Sequence, residues 1–210
     1  MCRSCNSIKG NTMNIIQSPS PNFYSRQEHA PSLLVIHVTD GYFPGDLDYL
    51  RNPAPLGGVG LVSSHDLIAP NGDVHELVDW QNGAWHAGRV LNPTAKLLKK
   101  NWFGNYINPN FYSYGIEVSC KPPAVPTPAQ FESLRQRIKD RLALFGLPTD
   151  RDHVIGHKEI YSGKTCPGPI NLELLVQELI APPPSQPSHK LTESDKISIL
   201  EKIKIVLDQY

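Results

Sequence analysis

The sequence predicts an α/β (α+β) sheet domain over residues 31–181. Three observations carry this reading. Short apolar runs rich in β-branched residues recur along the chain. Two such runs flank an Asn-Gly pair. A long amphipathic helix with both a start and a stop signal lies among them.

Residues 1–30 are polar and read as an irregular leader. The leader lacks the ~7–15-residue apolar core of a secretory signal. Cys2 and Cys5 form a C-x-x-C with no second pair to complete a zinc site, so they read as incidental thiols. "SLLVIHVTDG" (Ser32–Gly41) is an apolar run ended by Asp-Gly and reads as a buried strand. "VSSHDLIAPNGDVHELVD" (Val62–Asp79) is two strand-like runs around Asn71-Gly72, a pair that tolerates positive φ at both turn positions. "YSYGIEVSC" (Tyr112–Cys120) is a further strand. Thr127–Gly146 reads as a helix with Thr127 as N-cap, Pro128 at the first helical position and Gly146 as the stop. Its Phe131, Leu134, Ile138, Leu142 and Phe145 share one face. "HVIGH" (His153–His157) is a last short strand, and Asn171–Ile180 a closing helix. The proline-rich stretch 182–190 reads as a stiff linker. Residues 191–210 read as an amphipathic helix whose stripe must dock on the domain or on a second copy of the chain, so self-association is expected there.

Composition narrows the function. Lys+Arg and Asp+Glu number 20 each, which gives no electrostatic grip on nucleic acid or an anionic membrane. No apolar run reaches the ~18 residues of a membrane span, so no membrane insertion is expected.

The chemistry gathers in "GHKEIYSGKTCPGP" (Gly156–Pro169). A cysteine kept for packing belongs in an apolar run, whereas Cys166 stands between Thr165 and Pro167-Gly168. That setting fits a metal ligand or a nucleophile. His157, nine residues earlier at a strand end, can converge with Cys166 on one ion. His37 can supply the third ligand that an open zinc site needs. A lone histidine in an apolar strand is more often a core residue, and the spacing forms no motif as tight as H-E-x-x-H. Glu117 reads either as an outward carboxylate or as a proton acceptor beside such a site, and Lys164 as a solvated charge or an oxyanion partner.

Six ordered motifs then stand out: "VIHVT", "SSHDLIAPNGDVHELV", "AWHAG", "YGIEVS", "VIGHKEI" and "GKTCPGP". Over Leu33 to Ile180 the chain resembles the type-2 N-acetylmuramoyl-L-alanine amidases, which include phage endolysins and relatives of the peptidoglycan-recognition proteins. The resemblance implies a central mixed β-sheet flanked by helices, with one Zn²⁺ per chain in an open groove, held by His37, His157 and Cys166. It implies that Glu117 and Lys164 are catalytic and that Trp85, His86, His65 and Thr165 meet the substrate. The expected activity is hydrolysis of the amide between the lactyl group of N-acetylmuramic acid and L-alanine, with peptidoglycan or muropeptides as partner. A non-catalytic peptidoglycan receptor is the alternative, and in the family that role goes with loss of the cysteine ligand. The expected place of action is the wall after release from the bacterial cytoplasm, as for a bacteriolytic endolysin, or wall fragments in the cytoplasm. The chain departs from its relatives at Asp66, Trp80 and Tyr114. An inward Asp66 needs a partner.

Overall fold

The structure is a computed structural model that describes residues 13–26, 29–53 and 61–181. Cys2, Cys5, the expected linker and the expected C-terminal helix lie outside the described residues.

Among the described residues eight strands and three α-helices follow one another: β1 (Ile15–Gln17), β2 (Phe23–Ser25), β3 (Leu33–Val38), α1 (Gly45–Arg51), β4 (Asp66–Ile68), β5 (Val74–Glu76), β6 (Asn82–Ala84), β7 (Ser113–Val118), α2 (Pro128–Phe145), β8 (Val154–Gly156) and α3 (Leu172–Ile180). Six strands form one sheet in the order β1-β5-β4-β7-β3-β8. The β4–β5 pair is antiparallel and the other pairs are parallel, so the sheet is mixed. β2 and β6 form a separate antiparallel ribbon. Among the described residues no helix is long and apolar enough to cross a membrane.

The central strands are buried on both faces, which explains their nearly unbroken apolar sequence. Side chains alternate across a strand. Leu34, Ile36 and Val38 of β3, with Tyr114, Ile116 and Val118 of β7, pack against Leu134, Ile138 and Leu142 of α2 and Leu175 and Val176 of α3. Leu33 and Val35 join Tyr112, Ile155 and Ile160 in a second cluster. His37 and Glu117 have the parity of this second set.

α2 keeps its expected caps. The Thr127 hydroxyl accepts from Gln130 N–H at 3.1 Å, and the Gln130 side chain accepts from Thr127 N–H at 2.9 Å. Gly146 takes a left-handed φ of 65° at the end. The expected hairpin also forms, but only Gly72 adopts positive φ, at 89°. Ala69 N–H donates to Asp73 C=O and Gly72 N–H to Ala69 C=O, both at 2.9 Å, which leaves a three-residue loop rather than a two-residue turn.

Residues 1–30 are not irregular throughout. β1 pairs in parallel with β5, and β2 pairs with β6. Strands of three residues are too short to show a period, and long-range pairing alone defines them.

Candidate metal and catalytic site

Strand register brings the site together. β8 runs parallel to β3 with Gly156 opposite Ile36. The next residues, His37 and His157, therefore emerge side by side, with ring centroids 4.8 Å apart. His37 is buried, and His157 opens a short 3-10 turn over His157–Glu159. The following loop folds back so that Val38 N–H donates to the Cys166 sulfur at 3.2 Å and Lys158 N–H to the Cys166 carbonyl at 2.9 Å. Gly156 permits this return: a Cβ there would lie 2.4 Å from the Pro167 ring. One ligand atom from each of His37, His157 and Cys166 lies within 4.8 Å of the others.

β7 lies on the other side of β3, with Glu117 opposite His37. Glu117 Oε1 is 3.9 Å from His37 Nδ1, and its side chain is 13% exposed. Its Oε2 is buried without a hydrogen-bond partner. Burial first, and then the nearby Asp46 carboxylate, push the Glu117 carboxyl up to about 8, against the opposing charge of Lys164. Burial holds His37 well below the usual histidine range, with His157 adding to the effect. Burial, and then Lys164, bring His157 down to about 4. Both imidazoles are therefore neutral at pH 7, with lone pairs free for a cation. Burial, and then Glu117, push the Cys166 thiol up to about 12, so a cation held there must displace its proton.

Behind His37 a chain of hydrogen bonds sets the tautomers. Ser113 Oγ is 2.8 Å from the Pro109 carbonyl, which can only accept, so the hydroxyl donates there. Ser113 Oγ then accepts from His86 Nε2 at 3.3 Å. That leaves His86 Nδ1 to accept the His37 Nε2 proton at 3.1 Å. His37 thus keeps a bare Nδ1 on the Glu117 side. Gly115 makes the arrangement possible, since a Cβ there would meet the His86 ring at 2.7 Å.

These groups border a cleft of about 340 Å³. Gly163, Lys164 and Thr165 line it, as do Thr39, Asp46 and Tyr49. Of the residues that sequence reasoning singled out, His37, His86, Glu117, His157, Lys164, Thr165 and Cys166 all line it.

His65 and Trp85 do not. His65 is fully buried, accepts from Gly115 N–H at 2.9 Å and stacks on Tyr114 at 4.4 Å. Trp85 packs on Tyr24, ring centroids 4.4 Å apart. Trp85 adjoins His86 in its motif, but alternation along the chain turns it onto Tyr24, and His65 stands in a motif none of whose residues line the cleft. Asp46, which sequence reasoning missed, sits in the wall and accepts from Thr39 Oγ1 at 2.7 Å and Ser119 Oγ at 2.5 Å. The short α1 that carries it shows no clear period, and no signal in the chain marks it.

The three departures from the family pattern meet in one place. Asp66 is fully buried and accepts from Arg137 at 2.7 and 2.8 Å and from the Tyr114 hydroxyl at 2.8 Å. Tyr114 and Trp80 both pack on Phe145. Asp66 therefore has the partner it requires, and none of the three residues reaches the cleft.

Known proteins agree with this architecture. A chain described as the 1,6-anhydro-N-acetylmuramyl-L-alanine amidase AmpD of Salmonella typhimurium is 30% identical over 166 residues, covering 72% of this chain and 82% of that one. A crystal structure of an AmpD derivative superposes with a TM-score of 0.62 at 24% identity, covering 80% of this chain and 94% of the other. The Escherichia coli amidase AmiD, solved in complex with anhydro-N-acetylmuramic acid-L-Ala-D-γ-Glu-L-Lys, gives a TM-score of 0.53 at 28% identity, covering 76% of this chain and 60% of AmiD. The sequence profile of the N-acetylmuramoyl-L-alanine amidases matches residues 27–169. On this match, and with the mixed sheet and cleft just described, the chain belongs to the N-acetylmuramoyl-L-alanine amidase family.

Proposed function

We propose that this protein is a zinc-dependent amidase that cuts the bond between the lactyl group of N-acetylmuramic acid and the L-alanine of the stem peptide. The observation that carries the proposal is the meeting of His37, His157 and Cys166 within 4.8 Å, beside a carboxyl group with an unpaired oxygen. Two neutral imidazoles and a thiol are a donor set that suits zinc, and three protein ligands leave a position for water or substrate. Bound there, zinc supplies Lewis acidity and an acidified water.

The chain's own groups do the rest. His86 holds the His37 proton on Nε2, so that Nδ1 stays bare. Glu117 takes a proton from the attacking water on its carboxylate and returns it to the leaving amine of L-alanine. A carboxyl near 8 in the cation-free protein is poised for such exchange, and positive charge held by the triad favours its ionised form. Lys164 projects its charge onto His37, His157, Glu117 and Cys166, and so stabilises negative charge developing on the carbonyl oxygen. Thr165, which lines the same cleft, meets the stem peptide.

The relatives support the substrate class. AmpD is named for a 1,6-anhydro-muramyl substrate, and AmiD was solved with an anhydro-muramyl tripeptide. We infer that released muropeptides are cut in preference to intact sacculi. A receptor without catalysis would have no use for the unpaired Glu117 oxygen or the Cys166 thiol. The test is digestion of anhydro-muropeptides and of sacculi, with chelator and with zinc added back, scoring new alanine amino groups against new reducing ends. Zinc-dependent amino groups without reducing ends are expected. Bound substrate with neither product would overturn the proposal.

A further inference from the structure

The segment between the ribbon strand β6 and β7 carries a feature that the amidase reading does not use. Lys100 and Tyr106 pair as an antiparallel bridge, and Asn101–Asn105 closes the turn between them. Asn101 N–H donates to Asn105 C=O at 2.9 Å, and the Asn101 side-chain oxygen accepts from Phe103 and Asn105 N–H, each at 3.0 Å. The stem is fixed to the domain, where Leu98 packs with Tyr112 and Lys99 N–H donates to the Tyr112 hydroxyl at 3.0 Å. This ordered turn holds Trp102 at 96% and Phe103 at 84% exposure. Two aromatic side chains held in water forgo the burial that drives folding, a cost that a docked surface relieves.

We propose that this turn is a docking tip for an anionic lipid surface. Charge supports that occupant. From Trp80 to Ile116 the chain has no Asp or Glu, while it has Arg89, Lys99 and Lys100 besides Lys96, whose charge is paired with Asp152 at 2.9 Å. The whole chain has a formal net charge of zero, so the basic bias belongs to this segment. Shape supports it too. A protein interface needs roughly 800 Å² on each side, more than two side chains at the end of a turn can offer. A convex tip cannot wrap a glycan strand. A bilayer surface accepts a convex apolar tip, with tryptophan at the headgroup level and lysines against anionic headgroups.

The test is co-sedimentation of the full chain with phosphatidylglycerol-containing vesicles, with pure phosphatidylcholine vesicles and with purified sacculi. Binding to the anionic vesicles, weakened by salt, is expected. The double variant W102A/F103A should lower that partition about tenfold or more, and K100E about fivefold or more. All three side chains are exposed, so turnover of a soluble muropeptide should stay at the wild-type level and separate this proposal from the amidase reading. Equal partition of wild type and W102A/F103A would overturn the proposal. So would binding to sacculi and not to vesicles, and its loss in W102A/F103A would assign the tip to the wall.

Discussion

Two buried carboxyl groups sit on adjoining strands and have opposite fates. Asp66 in β4 lies opposite Ile116 in β7, and Glu117 is the next residue along. Alternation sends the two carboxyls to opposite faces of one sheet. On the helix-covered face Asp66 bonds to Arg137 and Tyr114, and Arg137 and Arg141 both reach Glu76. On the cleft face Glu117 has one oxygen 3.9 Å from a histidine and the other without a partner. The lesson is about pairing rather than burial. A buried charge whose acceptor sites are filled specifies the fold, and one left open is available to substrate or metal.

Mutations on the two faces should therefore separate activity from stability. The largest effect is expected on the open face at Cys166. Cys166→Ala removes one of the three proposed ligands, so dialysed protein should carry no zinc by elemental analysis, and turnover should fall to background. Glu117→Gln should lose about 10²–10⁴-fold in kcat while zinc content and melting temperature stay at the wild-type level. Asp66→Asn should do the reverse. It leaves Arg137 short of a buried counter-charge, and a loss of about 3–5 kcal/mol is expected in urea unfolding, with kcat retained by the folded fraction. A wild-type rate for Glu117→Gln, or full stability for Asp66→Asn, would break the comparison.

A smaller effect is expected at His86, which touches the open site from behind. His86→Phe removes the acceptor for the His37 Nε2 proton. Zinc affinity should drop about 10–100-fold, read by competition with a chromogenic chelator. Long-range ¹H–¹⁵N spectra of the zinc-free protein should place the His37 proton on Nε2 in the wild type and show a mixture of the two neutral tautomers in the variant. His86→Gln, whose side-chain carbonyl can accept, should recover part of the affinity. A group that merely fills space would be served equally well by Phe.

The loop half of this candidate site was legible in the chain because it is local, whereas His37 and Glu117 lie far away in sequence and were marked by the family resemblance. His157 and Cys166 are nine residues apart, and a glycine-proline setting betrays a fixed loop. β3, β7 and α2 are long enough for their patterns to show, and α2 announces its own ends. What escaped is what only the third dimension supplies. The partner of Asp66 stands 71 residues away in α2, so the sequence could say that a partner was needed but not which. β1, β2 and β6 span three residues each and exist only through pairing. Trp85 sits in one motif with His86, yet motif membership does not tell which way a side chain turns, and the motif of His65 puts no side chain into the cleft.

The smallest expected effect lies where the two regions meet. The His65 ring stacks on Tyr114 and its centroid is 5.6 Å from that of His86. Burial, and then the charge of Arg26, hold His65 well below the ordinary value of 6.5. Gly115 N–H points at its Nδ1, which must stay bare to accept it. Below the ordinary value the unfolded chain binds a proton at His65 that the folded chain refuses. Stability therefore falls as pH drops below 6.5 and goes on falling toward the depressed folded value. His37 and His86 are depressed in the same sense and add to the slope. In zinc-free protein, His65→Gln should flatten the decline between about pH 6.5 and pH 5 by up to ~1.4 kcal/mol per pH unit, one proton's worth. Urea unfolding across that range measures it. An unchanged slope would mean that His65 is protonated in the fold. Its Nδ1 could not then accept from Gly115, and the contrast between a closed, paired region and an open one would fail at the residue that joins them.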